Sequence, residues 1–427
     1  MASIGRGSRQ FQNLAAIVAG LTILWGVPAA HAADDADPPA KVEDYTSPNF
    51  LVHTDLSADE AEELLGRLET MLGLISTYWR QPLRNGPIEC YVVKDLQNWP
   101  KDRITSPIGL QQIAAKAGVT VTGPDDRGVL RSVVYAFADR GTPQHEAVHA
   151  YCGQTFGTTG PVWYSEGMAE LGQYWREGEK AVQCHPEVVE YIHRSPPKSL
   201  NGIVNGNEAT GDSWENYAWR WALCHLLANH PDYQEAFHAL GLSILARGPT
   251  TFEQALGARA DAISFEYLFF LQHFDQGYRV DLCRWNLNAA ARLIPRRGQR
   301  IATTKAGLGW QPSGILLLAN KEYQFSAKGA WQTAADAESV TADGDAEGIG
   351  RLVGVVLSDP AVAGGLPDLS EPFDLGSYGT FTAPAAGSLY LRCQDGWGQI
   401  ADNEGTIKVK IKLHGQGNPL PMPAPAE

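Results

Sequence analysis

Positive charge is scarce in this chain. It carries 34 Lys and Arg against 48 Asp and Glu, a net charge of −14. That balance argues against a nucleic-acid-binding surface, which needs clustered cations. Acidic surface mostly serves solubility and names no substrate. Long apolar runs are also missing beyond the N-terminus, so no stable membrane span is expected. The six cysteines are Cys90, Cys152, Cys184, Cys224, Cys283 and Cys393. Their spacing follows no zinc pattern, which argues against a second metal site at Cys184-His185 or Cys224-His225. In an oxidising compartment some would pair, with the connectivity open.

The N-terminus supplies that compartment. Arg6 and Arg9 precede a short apolar stretch from Leu14 to Val27, and Ala30-His31-Ala32 is a small-x-small cleavage signal. Residues 1–32 read as a signal peptide, so the mature chain is expected to start at Ala33 and to be secreted or periplasmic. Removing the leader takes away two arginines, leaving 32 basic against 48 acidic residues and a net charge of −16.

What is present is a short constellation of metal-ligating residues. His145-Glu146-Ala147-Val148-His149 is an H-E-x-x-H pattern. On a helix it puts both imidazoles on one face, one turn apart, where they can hold one zinc ion. The intervening Glu146 then reaches the metal-bound water as general base. Glu166 follows in Trp163-Tyr164-Ser165-Glu166-Gly167-Met168-Ala169-Glu170. A catalytic zinc needs three protein ligands and an open position, and Glu166 is the natural third if a second helix begins near Ser165, a good N-cap residue. Glu170, one turn on, is placed to accept a hydrogen bond from the far nitrogen of His145 and fix its tautomer.

The block from His145 to Glu170 resembles the gluzincin metallopeptidases, closest to the peptidase MA-like secreted proteins with a W-x-x-E-G-x-A-E helix. The resemblance implies zinc on His145, His149 and Glu166, with Glu146 as base. The spacing between His149 and Glu166 is shorter than in the aminopeptidase and thermolysin branches, so Glu170 is the reserve third ligand. In gluzincin aminopeptidases a tyrosine near the start of a later helix donates to the oxyanion. Tyr217, near the start of an apolar-faced helix over 216–227, is similar in position, and its phenol stays a donor at neutral pH.

Residues 45–295 read as one α+β, zincin-like catalytic domain after a linker over 33–44. Residues 49–54, 88–93 and 131–138 are expected strands. Ser57 to Glu60 is a capping box opening a helix with Leu64, Leu65, Leu68, Met71, Leu72 and Ile75 at helical spacing. The third strand leads through Gly141-Thr142-Pro143 into the zinc helix, and is the candidate edge strand to pair with an extended peptide. Helices follow residue 212 to about 275, broken at Pro231 and Gly248-Pro249.

The basic run from Arg296 to Arg300 marks a linker over 296–304. Beyond it, residues 305–415 read as an all-β sandwich of jelly-roll type, with strands at 315–318, 322–327, 352–357, 389–393 and 406–413. The Pro-rich tail over 416–427 is expected to be disordered. Gly309-Trp310-Gln311, Leu389 to Asp395 and Asp402-Asn403-Glu404-Gly405 resemble the calcium-dependent galactose-binding lectins of bacteria, the PA-I type. The resemblance implies calcium on Asp395, Asp402 and Asn403, with Gln399 standing where the family has a threonine. These are hard oxygen ligands suited to that ion.

Two functions follow. One is a secreted zinc metallopeptidase acting on a peptide or protein substrate, with an accessory carbohydrate-binding-like sandwich. The other is a carbohydrate- or surface-binding protein whose zincin domain is inactive or repurposed. Glu146 beside two ligands favours the hydrolase.

Overall fold

The computed structural model describes residues 41–174, 184–206, 214–358, 366–416 and 420. The proposed signal peptide lies outside the described residues, as does most of the Pro-rich tail. Among the described residues no helix is long and apolar enough to cross a membrane.

The fold is mixed α/β, and the described residues form three sheets. The first begins with β1 (Glu43–Thr46) and β2 (Phe50–Thr54), so the chain enters a strand inside the segment that composition marks as linker. Helix α1 (Ala58–Trp79) starts at the expected capping box: Ser57 accepts from the Glu60 amide, and the Glu60 side chain accepts in return. Its buried face is Leu64, Leu68, Met71, Leu72, Ile75 and Trp79. Next come β3 (Ile88–Val93), α2 (Pro107–Ala114), β4 (Gly118–Pro124) and β5 (Leu130–Phe137). The strand order is β1-β2-β3-β5-β4. β2, β3 and β5 run parallel, with β1 and β4 antiparallel at the two edges.

This order corrects one expectation. The strand that leads into the H-E-x-x-H helix, β5, is interior; the edge beside that helix is β4. The two form a hairpin closed over Asp125 to Val129, where the Asp125 carboxylate accepts from the Arg127 and Val129 amides. Sheet order is a long-range property, and adjacency to the helix in sequence does not make β5 an edge.

Helices α3 (Thr142–Phe156), α4 (Val162–Tyr174), α5 (Pro186–Arg194), α6 (Leu200–Val204), α7 (Trp214–Asn229), α8 (Gln234–Leu245), α9 (Phe252–Leu256) and α10 (Ala260–His273) follow. α3 is buried almost all round, because it lies between the sheet and α1 and α4. Such a helix carries little amphipathic signal.

The remaining strands are β6 (Arg292–Leu293), β7 (Gln299–Lys305), β8 (Gln311–Leu317), β9 (Glu322–Gln332), β10 (Leu352–Leu357), β11 (Phe373–Asp374), β12 (Tyr378–Thr382), β13 (Gly387–Cys393) and β14 (Glu404–Leu413). They form two sheets, β11-β10-β13-β8-β6 and β12-β9-β14-β7. Between them lies a core of Ile315, Leu317, Leu352 and Leu389 from one sheet against Phe325, Ile407, Val409 and Ile411 from the other. This is a β-sandwich. The segment read as a linker is largely β7, which pairs with β14 along its whole length.

The helices and the sandwich share apolar core. Trp285 packs on Tyr390 at 5.1 Å between ring centroids, and Phe269 on Trp397 at 5.6 Å. The Tyr390 hydroxyl donates to the Asn286 carbonyl at 2.8 Å. All six cysteines are unpaired, and all but Cys184 are buried. In the tail, Leu420 is buried and its amide donates to Gln324 at 3.3 Å.

Candidate metal centre

The start of α3 is fixed by Asp139, whose Oδ1 accepts from the Gly141 and Thr142 amides at 2.8 and 2.6 Å. Pro143 in the first turn lacks the amide that a helix start leaves unpaired. Gly157 ends the helix in the left-handed region at φ 76°. These devices set the rotation of α3 and so the direction of His145 and His149.

α4 begins at Val162, three residues before Ser165, where the Pro161 carbonyl accepts from the Tyr164 and Ser165 amides. Ser165 is therefore not its N-cap, contrary to the sequence expectation. Instead its Oγ lies 3.3 Å from His149 Nδ1. Gly167 explains the E-G pair: a Cβ there would sit 2.5 Å from Cys224 Sγ and 2.8 Å from the Arg220 carbonyl. Only glycine lets α7 approach α4 this closely.

Three donor atoms converge. His145 Nε2 and His149 Nε2 are 3.2 Å apart, and each is 3.3 Å from Glu166 Oε2. Among the described residues this is the only group of three or more His, Cys, Asp or Glu side chains placed to share a metal ion. Those separations match the edges of a tetrahedron with bonds of about 2.0 Å, the zinc–nitrogen and zinc–carboxylate range. Glu166 is 1% exposed, and its Oε1 is buried without a hydrogen-bond partner. A buried carboxylate in that condition calls for a cation. The residues therefore fit a zinc ion.

Glu170 stands behind His145, with Oε1 3.1 Å from Nδ1, an ion-pair contact away from the three converging atoms in which Nδ1 makes no well-formed hydrogen bond. Burial alone would lower the pKa of His145, but the carboxylates of Glu166 and Glu170 outweigh it and hold the pKa well above the usual value. Burial would raise the pKa of Glu166, but hydrogen bonds from His145 and His149 hold it well below the usual range. The cluster is built around a positive charge, whether proton or metal ion, and metal binding there would release protons.

The centre opens into a cleft of about 660 Å³, lined among others by Glu146, Thr120, Trp214 and Tyr217. The Tyr217 ring stacks on His145 at 5.9 Å with an interplanar angle of 12°. Thr120 on β4 is a residue the sequence reading missed. Its hydroxyl lies 2.8 Å from both the backbone carbonyl and Oε2 of Glu146. A Cβ on Gly118 of the same strand would come within 2.6 Å of Glu146 Cγ. The edge strand thus holds the glutamate in place. The signal was the Val119-Thr120-Val121-Thr122 alternation before a Pro-Asp-Asp-Arg-Gly turn.

The three expected calcium ligands are placed less closely. The Asn403 amide donates to Asp395 Oδ2 at 2.9 Å, and Asn403 Oδ1 is buried without a partner. Asp395 Oδ1 accepts from the Gly396 amide at 2.7 Å. Asp402 is exposed on the one-turn helix Ile400–Asp402, and Gln399 is also exposed.

No protein-family model matches the chain, and no curated protein matches it. Among solved structures it is similar to the EclA N-terminal domain, a PllA-like lectin, at 20% identity over 27% of this chain and 96% of that one, with a TM-score of 0.22. It is also similar to a functionally unknown conserved protein from Bacillus anthracis str. Ames and a mutant of it. Each is 14% identical over 29% of this chain and 22% of that one, with TM-scores of 0.16 and 0.17.

Proposed function

We propose that the protein is a secreted zinc metallopeptidase of the gluzincin kind. The observation that carries this reading is the convergence of His145, His149 and Glu166 on one point beside Glu146, in an open cleft. Zinc held there would act as a Lewis acid toward a carbonyl and make water more acidic. Glu146, steadied by Thr120, takes a proton from the attacking water and passes it to the leaving amine. Tyr217, beside His145, donates its phenol proton in a hydrogen bond to the carbonyl oxygen as charge develops there. The free edge of β4 offers backbone amides and carbonyls to an extended peptide. Export rests on the leader over residues 1–32, and the sandwich is the accessory, carbohydrate-binding-like part.

Purified chain lacking the leader tests the reading. About one zinc per chain and cleavage of an unstructured protein such as casein are expected, with cleavage lost in Glu146→Gln. Full zinc content with no cleavage of casein or of a broad peptide library would overturn the peptidase assignment.

A further inference from the structure

A second cavity, of about 790 Å³, lies where α10 meets the sandwich. Its walls include Phe265, Leu268, Trp310, Val353 and Trp397, and Arg392 of β13. Volumes of this order suit small organic ligands.

Arg392 is 6% exposed, yet no carboxylate pairs with it among the described residues. Its Nε donates to the Cys393 carbonyl at 3.0 Å and its Nη2 to the Asp395 carbonyl. Nη1 has no partner among the described residues. The guanidinium lies 3.6 Å from the Trp397 ring centroid and 5.7 Å from that of Trp310. Aromatic faces and backbone carbonyls relieve a buried cation in part, but they leave its net charge uncompensated. Asp395 offsets that charge only in part and through space, since among the described residues no carboxylate oxygen is hydrogen-bonded to the guanidinium and the nearby carboxylates have other partners. Asp395 accepts from Gly396 and Asn403, and Asp374 pairs with Arg351 at 2.7 Å.

We propose that this cavity binds a monocarboxylate with an apolar body, its carboxylate on the free edge of Arg392 and its body against Trp310, Phe265 and Leu268. A planar carboxylate matches a guanidinium edge, and the lining matches an apolar tail. Asp368 and Glu371 are exposed where the cavity meets solvent, and they disfavour a multiply charged anion such as phosphate. The site draws on α10 as well as on β13, so it belongs to the junction and not to the sandwich alone.

Calorimetric titration of the full chain in chelator tests this, because chelation removes any carboxylate binding at the His145 centre. Phenylacetate is expected to bind with a Kd of about 1 mM or tighter, a modest affinity for so small a ligand. Neutral 2-phenylethanol, of the same shape, and inorganic phosphate are expected to bind at least about tenfold more weakly, as loss of a charged hydrogen bond implies. Arg392→Gln should weaken phenylacetate by about tenfold or more. Gln272→Glu, an exposed change on the cavity wall, should weaken it about threefold and keeps the test alive if Arg392→Gln does not fold. Equal binding of phenylacetate and 2-phenylethanol, preference for phosphate, no binding of phenylacetate, or indifference to Gln272→Glu would each overturn the proposal.

Discussion

The candidate metal centre and the Asp395 loop carry the same kind of sequence signal, three ligand-type residues at a fixed spacing. The structure treats them differently. At the first, donor atoms from residues 145, 149 and 166 come within 3.3 Å of one another. At the second, Asp395 and Asn403 meet through a hydrogen bond while Asp402 is exposed. The reason is the backbone that carries them. A helix fixes the direction of side chains one turn apart, so H-E-x-x-H needs only one helix–helix contact to complete it. A loop spacing fixes no direction, and each residue must be aimed by its own neighbours.

The sharpest way to break that comparison is to remove a helical ligand. His149→Ala should take zinc from about one per chain to near none after dialysis, measured by metal analysis, since two remaining donors do not hold the ion. Full retention would place the metal elsewhere. Glu146→Gln should keep the zinc and lower hydrolysis by about 10²-fold or more. A variant that lost zinc as well would make Glu146 a ligand. Thr120→Val should lower kcat by about tenfold with zinc unchanged, and Thr120→Ser should restore it, because only the hydroxyl reaches Glu146.

The junction between the two regions can be broken too. Trp285, 3% exposed, packs on Phe265, Phe269, Trp310 and Tyr390. Trp285→Ala should cost about 3–5 kcal/mol, and calorimetry should show one transition that moves as a whole. Two separate transitions, only one of them shifted, would mean that the sandwich folds by itself.

Legibility followed the range of the interactions. The Ser57–Glu60 capping box and the all-apolar β10 are local patterns, and the structure reproduces both. β5 reads as an edge in the sequence because what makes it interior is its pairing with β3, about forty residues back, while the true edge β4 is joined to it by a local hairpin. β7 was missed because Arg296 to Arg300 reads as a boundary, while its pairing partner β14 lies about a hundred residues on. The aromatic junction joins Phe269, Trp285, Trp310, Tyr390 and Trp397, and no periodicity links them. At the candidate metal centre the His145–His149 and Glu166–Glu170 pairs were legible, since each is one turn of one helix, and the contact of α3 with α4 brings the two pairs together. Thr120 was not, because it reaches Glu146 across a strand–helix contact.

The smallest expected effect is at the Asp395 loop, and it bears most directly on why the two sites differ. Asn403 Oδ1 is a buried acceptor without a partner, and calcium prefers such oxygens. An ion that binds only the folded chain stabilises it by mass action, by about 2.7 kcal/mol at a hundredfold excess over Kd. For a chain of this size that corresponds to a rise in Tm of only a few degrees, roughly 2–4 °C or somewhat more. The full chain is the right sample, because a segment over 305–415 would strip β14 of β7 and expose Tyr390. Asp395→Ala should abolish the calcium-dependent rise. Asp402→Ala should abolish it only if that exposed side chain turns inward to the ion. A rise that survives Asp402→Ala would make the loop a two-residue site completed by backbone or solvent oxygen. No rise with calcium in the parent chain would remove the ion from the sandwich and leave the Asp395–Asn403 hydrogen bond as a purely structural clasp.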